Sequence, residues 1–278
     1  MVGDMSWNAV TNHAQGFLSA AVADPSRVLL ALDFDGTLAP IVDDPEDSRM
    51  HDGAAGALAR LGGVLGHVAI ITGRGVAVVR RLGRLAEREG LGNLVVLGQY
   101  GAERWDAATG EETAPSVPEN VAAARPEVEE IIASCTIDGV VLEDKGRALG
   151  VHTRRSTDPD LAFRALEPQL AAVAERHGLI LEPGRNVLEL RASAMTKGDA
   201  LRALVDETGA TVVAMCGDDL GDLPAFELLR ELRDGGLITC AVISGSAEQP
   251  AMAAQADVLA EGPDGVAAWL RDLAEALA

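Results

Sequence analysis

Six side chains have the types that handle phosphate groups and hard metal ions, and each stands at the edge of a predicted element. Asp33 and Asp35 follow the apolar run 28–32. Thr72 follows the run 68–71, and Asp218 and Asp222 follow the run 212–216. Lys197 opens a predicted helix, with Thr196 as N-cap and Asp199 three residues on, the spacing of a capping box. Carboxylate oxygens suit a hard cation such as Mg²⁺, which would relieve the high cost of unpaired buried charge. A hydroxyl and an ammonium can neutralise the oxygens of a transferred phosphoryl group. An aspartate among them can attack phosphorus and carry it as an aspartyl-phosphate. Plainer readings exist for each. Asp-Gly after a strand is a common turn, Thr72 can be an N-cap, Asp219 and Asp222 can be helix N-terminal carboxylates, and Lys197 can be a surface cation.

Something must gather these residues, and the chain pattern supplies it. Short apolar runs bounded by turn signals read as buried strands of a parallel sheet. The runs 28–32, 68–71 and 94–97 alternate with predicted helices at 52–61 and 75–88. A β-α-β-α-β order predicts a right-handed, doubly wound α/β sheet, whose ligands bind at the carboxyl ends of the strands. All six residues fall on that edge. A further helix is expected over residues 7–22, and the acidic loop Asp43-Asp44-Pro45-Glu46-Asp47 reads as a solvated turn.

The pattern changes near residue 110. Residues 107–118 read as a linker. Beyond them the order becomes helix (118–134), strands (139–144 and 148–153), helix (158–176) and strands (179–183 and 187–191). Strands joined by tight turns imply antiparallel pairing. Residues 112–191 are therefore expected to form an inserted α/β domain, and residues 1–111 with 192–278 a discontinuous core.

Composition bounds the partners. Asp and Glu number 43 against 23 Lys and Arg, a formal net charge of -20, and no basic stripe stands out. That disfavours nucleic acid and anionic membrane surfaces as partners, since both need clustered cations. An anionic small molecule must be met by a few local cations or a metal. No apolar run reaches membrane-spanning length. The N-terminal residues carry no Lys or Arg before Arg27, which does not support a signal peptide. Cys135, Cys216 and Cys240 are odd in number and not in metal-knuckle spacing, so free thiols in a cytoplasmic protein are expected. The oligomeric state is open, with a monomer as the default expectation.

The segments DFDGT, ITGR, TKG and GDDLGD, in that order, resemble the four motifs of the haloacid dehalogenase-like (HAD) phosphatase superfamily. The resemblance implies a Rossmann-like core, with Asp33 as nucleophile and Asp35 as the acid for the leaving alcohol and then the base for water. It implies Mg²⁺ held by Asp33, the Asp35 carbonyl and Asp218, supported by Asp219 and Asp222. Thr72 and Lys197 would hold phosphoryl oxygens, with Gly36, Gly73 and Arg74 beside the substrate. Along nearly its whole length the chain further resembles trehalose-6-phosphate phosphatases. The matching features are DFDGTLAPI, GQYGAE, Glu143-Asp144-Lys145, Val151-His152-Thr153-Arg154, Gly184-Arg185, Glu189-Leu190-Arg191 and GDDLGDLPAF. In that family an inserted α/β cap domain reads the sugar, which would fall here to Glu143, Lys145, Arg154, Arg185 and Glu189, with Glu103 lining the substrate cleft. Ordinary cross-strand pairing is the plainer account of those charges. Two departures stand out: Tyr100 where the family commonly has His, and Arg185 where it usually has Lys. The expectation is hydrolysis of a sugar phosphate, trehalose 6-phosphate first. A glycosyl-phosphoglycerate or sucrose phosphate, a phosphosugar mutase, or an inactive sugar-phosphate-binding module remain as alternatives.

Overall fold

The protein is described from a computed structural model covering residues 7–42, 44–184, 186–245 and 252–278. Arg185, and Asp43 of the acidic loop, lie outside the described residues. The chain divides into two units, residues 115–194 and the segments on either side of them. The boundaries fall three residues from those expected.

The large unit begins with β1 (Trp7–Ala9), α1 (Asn12–Ala23), β2 (Val28–Leu32), α2 (Asp52–Gly62), β3 (His67–Ile71), α3 (Val76–Leu82), β4 (Leu94–Gly98), β5 (Glu103–Asp106) and β6 (Glu112–Thr113). The small unit holds α4 (Glu119–Ser134), β7 (Val141–Asp144), β8 (Ala148–His152), α5 (Pro159–His177), β9 (Ile180–Gly184) and β10 (Val187–Arg191). The large unit resumes with α6 (Lys197–Thr208), β11 (Val212–Gly217), α7 (Leu223–Asp234), β12 (Ile238–Ser244), β13 (Val258–Ala260) and a last helix, Gly262–Ala276.

Its sheet runs β1-β13-β12-β11-β2-β3-β4-β5-β6. The strands from β13 to β4 are parallel, while β1, β5 and β6 add antiparallel edges. Successive side chains of a strand point to opposite faces, so β2 is apolar throughout because both faces are covered. Leu30 and Leu32 join Leu58, Leu61 and Leu270 on one side. Leu29 and Ala31 join Leu201, Leu204, Phe226 and Leu229 on the other.

Two expected elements differ. Residues 7–22 do not form one helix. Trp7 pairs with Ala260 in β1, and Thr11 caps α1 by accepting the His13 N–H at 3.2 Å while donating to Asp257 at 2.6 Å. Residues 107–118 are not wholly linker. The chain from β4 folds back as β5 and β6, where Trp105 is buried beneath the Arg80 guanidinium, 4.6 Å from its ring centre. Cys135, Cys216 and Cys240 are free thiols. No helix among the described residues is long and apolar enough to cross a membrane.

The small unit is a four-stranded antiparallel sheet, ordered β7-β8-β10-β9. Leu149, Val151, Leu188 and Leu190 pack with Val121, Val128, Leu166 and Leu170 of α4 and α5. Alternation leaves the other face of the sheet for polar side chains.

Candidate active site

Strands β2 and β11 are neighbours, and their ends bring the first carboxylates together. The Asp33 amide donates to the Cys216 carbonyl at 2.9 Å, extending the ladder by one residue. One carboxylate oxygen each from Asp33, Asp218 and Asp222 lies within 4.8 Å of the others, and all three residues are buried. Gly36 makes this approach possible. It sits at φ 71°, and a Cβ there would lie 2.2 Å from the Asp218 carboxyl carbon, so no other residue fits without moving Asp218. The Ser244 hydroxyl, buried at the end of β12, donates to the Gly36 carbonyl at 2.6 Å and fixes the turn.

Lys197 reaches the same cluster from α6. Its helix start is held by a complete capping box, with Thr196 accepting the Asp199 N–H and Asp199 accepting the Thr196 N–H. An ammonium at a helix N-terminus opposes the macrodipole. The opposing interactions are a 2.8 Å ion pair to Asp33 Oδ1 and a 2.7 Å pair to Asp222 Oδ1. Burial draws the Lys197 pKa down, but the Asp222 and Asp33 carboxylates outweigh it and hold the group protonated well above its usual range. For the carboxylates burial prevails, and their pKa values rise as well. Burial, reinforced by the Asp33 charge, pushes Asp218 up to about 10. Burial raises Asp222 to about 6 and Asp33 well above the usual range, with Lys197 pulling both back. Three buried carboxylates facing one ammonium form a donor set that fits a hard divalent cation.

Asp222 is more committed than expected of a metal ligand. Its Oδ1 takes Lys197, and its Oδ2 accepts the amides of Asp218 and Asp219 at 2.9 and 3.2 Å. That makes it the anchor of the loop and of the lysine, leaving Asp33 and Asp218 as the carboxylates suited to a cation. Asp219 is exposed. Thr72 is buried at the end of β3. Its hydroxyl accepts the Arg74 amide at 3.2 Å, which leaves its proton available to an anion. Gly73 lies against the Tyr100 ring, where a Cβ would meet the phenol oxygen at 2.9 Å. Gln99 and Tyr100 both adopt positive φ, 51° and 59°, a strained pair next to the site.

Two residues expected beside the substrate have other partners. Arg74 grips Asp35, Nε to Oδ2 at 2.5 Å and Nη2 to Oδ1 at 2.7 Å, and its Nη1 donates to the Pro45 carbonyl at 3.0 Å. The nearest anion, a carboxylate from the same site, satisfies its fork. Glu103 accepts the Val76 amide at 2.7 Å and so caps α3, whose preceding Gly75 has no side chain to do it.

On the small unit's polar face, Glu143, Gly150, Glu189 and Glu182 stand in one row across the four strands. Like charges in such a row repel, and cations balance them. Lys145 Nζ lies 2.6 Å from Glu189 and 3.9 Å from Glu143, His152 Nε2 lies 2.8 Å from Glu143, and Arg191 pairs with Glu182. Gly150 leaves the middle open, since a Cβ there would sit 3.2 Å from His152 Nε2 and 3.6 Å from Glu143 Oε2. Glu189 is buried, and among the described residues its Oε1 has no hydrogen-bond partner. Arg154 lies beyond the end of β8 in an exposed turn.

Sequence reasoning missed Ser244, His152, Gly150 and Ser48, whose hydroxyl stands 3.1 Å from Asp35 Oδ1. The strand-end rule that found Asp33 and Thr72 would also have found Ser244. Alternation from Glu189 through its partner Gly150 would have found His152. Ser48 lies in an irregular loop and carries no such signal.

Comparison with known proteins matches residues 31–258 to the family model described as trehalose-phosphatase. A probable trehalose-phosphate phosphatase of Sinorhizobium fredii is 30% identical over 227 residues, covering 80% of this chain and 81% of that protein. The trehalose-phosphate phosphatase of Mycobacterium marinum is 31% identical over 249 residues, covering 82% of this chain but only 60% of that longer protein. Among solved structures, the C-terminal domain of Candida albicans trehalose-6-phosphate phosphatase superimposes with a TM-score of 0.77 at 24% identity, covering 96% of this chain and 99% of that one.

Proposed function

The chain belongs to the trehalose-phosphatase family of HAD-like fold, and from that premise we propose that it hydrolyses trehalose 6-phosphate to trehalose and phosphate through an aspartyl-phosphate on Asp33. The observation that carries this reading is the ion pair of Lys197 with Asp33 inside a buried cluster that also holds Asp218 and Asp222. An aspartate so placed has a fixed direction of attack, and the ammonium beside it meets the phosphoryl charge.

In the first step an Asp33 oxygen bonds to phosphorus, the bond to the sugar oxygen breaks, and Asp35 gives that oxygen its proton. In the second step water attacks the phosphoryl group, Asp35 takes the water's proton, and phosphate leaves Asp33. Lys197 and the Thr72 hydroxyl hold phosphoryl oxygens throughout. Asp222 keeps Lys197 and the amides of Asp218 and Asp219 in place for both steps. Asp33 and Asp218 would hold Mg²⁺, which would supply charge neutralisation at the phosphoryl oxygens.

For the sugar, the polar row of the small unit offers carboxylates and cations that can hydrogen-bond vicinal hydroxyls. The buried Glu189 Oε1 lacks a donor among the described residues, and an unmet buried acceptor favours a ligand that brings one. The test is phosphate release with Mg²⁺ from trehalose 6-phosphate, sucrose 6-phosphate and glucose 6-phosphate. Trehalose 6-phosphate is expected to have the highest kcat/KM, by on the order of 10²-fold. A clear preference for another ester overturns the substrate assignment, and turnover of none of them favours a binding module.

A further inference from the structure

The Arg74 fork has a consequence for the proton-transfer step, and this inference rests on the aspartyl-phosphate reading above. The backbone of Asp35 is held by a tight turn: the Gly36 amide donates to the Ala39 carbonyl at 2.7 Å, and the amides of Leu38 and Ala39 both donate to the Phe34 carbonyl. Its side chain is held by Arg74 through both oxygens. Arg74 is itself braced, since it donates to the Pro45 carbonyl and its guanidinium lies 5.9 Å from the Phe34 ring centre. A two-pronged, planar pair fixes orientation as well as distance, which a lysine could not reproduce.

We infer that Arg74 is a positioning residue for Asp35 rather than a ligand for the phosphoryl group, and that it leaves Asp35 Oδ2 as the oxygen that exchanges protons. Each carboxylate oxygen has two acceptor positions. Oδ1 takes Arg74 Nη2 and has the Ser48 hydroxyl 3.1 Å away, which donates to the Pro40 carbonyl at 2.8 Å and crowds the second position of Oδ1, whereas among the described residues Oδ2 takes Arg74 Nε alone. Oδ2 therefore keeps one position for the proton that passes to the leaving alcohol and, later, arrives from water. In the first step that proton moves from Oδ2 to the sugar oxygen as its bond to phosphorus breaks. In the second it moves from water to Oδ2 as the new phosphorus–oxygen bond forms. General acid–base assistance of this kind contributes roughly 10²–10⁴-fold, so a misplaced Asp35 costs a comparable factor while leaving Asp33 able to attack.

Two esters separate this role from phosphoryl binding. The p-nitrophenolate group leaves without being protonated, so Asp33 can still be phosphorylated when Asp35 is misplaced. Release of phosphate from Asp33 still needs the base. Rapid mixing of Arg74→Ala with p-nitrophenyl phosphate and Mg²⁺ is expected to show a burst near one equivalent of p-nitrophenolate, followed by slow turnover. With trehalose 6-phosphate, kcat is expected to fall by about 100-fold without a burst, because both steps need Asp35. Arg74→Lys keeps the charge and safeguards folding, and is expected to fall between wild type and Arg74→Ala. An equal rise in KM for both esters with kcat retained, or unchanged kinetics on both, overturns the inference. Asp33→Asn is the control for the underlying reading. If that variant keeps activity, the aspartyl-phosphate itself is wrong. If it is inactive while Arg74→Ala shows neither burst nor ester-dependent loss, only the role given to Arg74 falls.

Discussion

Two lysines in this protein each bridge two carboxylates, and they do so under different constraints. Lys197 is almost wholly buried, lies 2.8 and 2.7 Å from Asp33 and Asp222, and is fixed by a capped helix start. Lys145 is 16% exposed and lies 2.6 Å from Glu189 but 3.9 Å from Glu143. It sits in the hairpin turn between β7 and β8, where Gly146 takes a positive φ of 77°. The first cluster is tied to the backbone through Asp222 Oδ2, which accepts two amides, and through Ser244 on the Gly36 carbonyl. The second is a row of side chains on a sheet face, with Lys145 and Arg191 on long stems and, among the described residues, one buried acceptor unmet. A rigid cluster suits chemistry whose atoms must be placed to fractions of an ångström. An adjustable one suits recognition of hydroxyls on a sugar.

The sharpest way to break the comparison is to remove each lysine. Lys197→Ala leaves buried carboxylates without their cation, and loss of one partner of a buried pair costs about 3–5 kcal/mol. Activity is expected to fall on the order of 10³-fold or more on both trehalose 6-phosphate and p-nitrophenyl phosphate. Lys145→Ala is expected to cost about 1–2 kcal/mol and to leave p-nitrophenyl phosphate turnover near wild type. Thermal melts and steady-state rates on the two variants check this. Equal damage from both would erase the distinction.

A smaller effect concerns pH. Asp218 is raised to about 10 and Asp222 to about 6, chiefly by burial, against about 3.9 in an unfolded chain. The folded state therefore binds these protons more tightly than the unfolded state. Their contribution to stability is full below about pH 4 and is lost as pH rises through 6 and on toward 10. In EDTA the Tm is expected to decline from pH 5 to pH 9, and added Mg²⁺ to raise it more at pH 8 than at pH 6. A Tm that is independent of pH in EDTA, or unmoved by Mg²⁺, contradicts the electrostatic account of this cluster.

The large unit was legible because one rule covers it. Apolar runs ending in Asp33, Thr72 and Asp218 predict a parallel sheet, and a parallel sheet gathers those ends on one edge. Lys197 was legible from its capping box. What the rule did not reach was how the collected groups share partners. Arg74 and Glu103 stand where a substrate group was expected to meet them, but the nearest complementary groups are Asp35 and the amide of Val76. Which side chain wins a partner is decided by distances that spacing along the chain does not fix. Strand β6 falls inside the expected linker 107–118 because two residues, Glu112 and Thr113, are too few to show a period among the Ala, Thr, Gly and Glu around them. In the small unit, alternation along β8 and β10 shows which residues share a face. The pairing of His152 with Glu143 depends on cross-strand register, which no motif states.

The central claim is that the large unit performs phosphoryl transfer on any ester it admits, while the polar row of the small unit sets which sugar is used. The direct measurement is kcat/KM of Glu189→Ala on trehalose 6-phosphate and on p-nitrophenyl phosphate, each relative to wild type. Loss of one charged, buried hydrogen bond of about 1.5–3 kcal/mol predicts a fall of roughly 10–150-fold on trehalose 6-phosphate, with p-nitrophenyl phosphate changed less than about twofold. Equal losses on the two esters would show that Glu189 does not read the sugar and would contradict the division of labour.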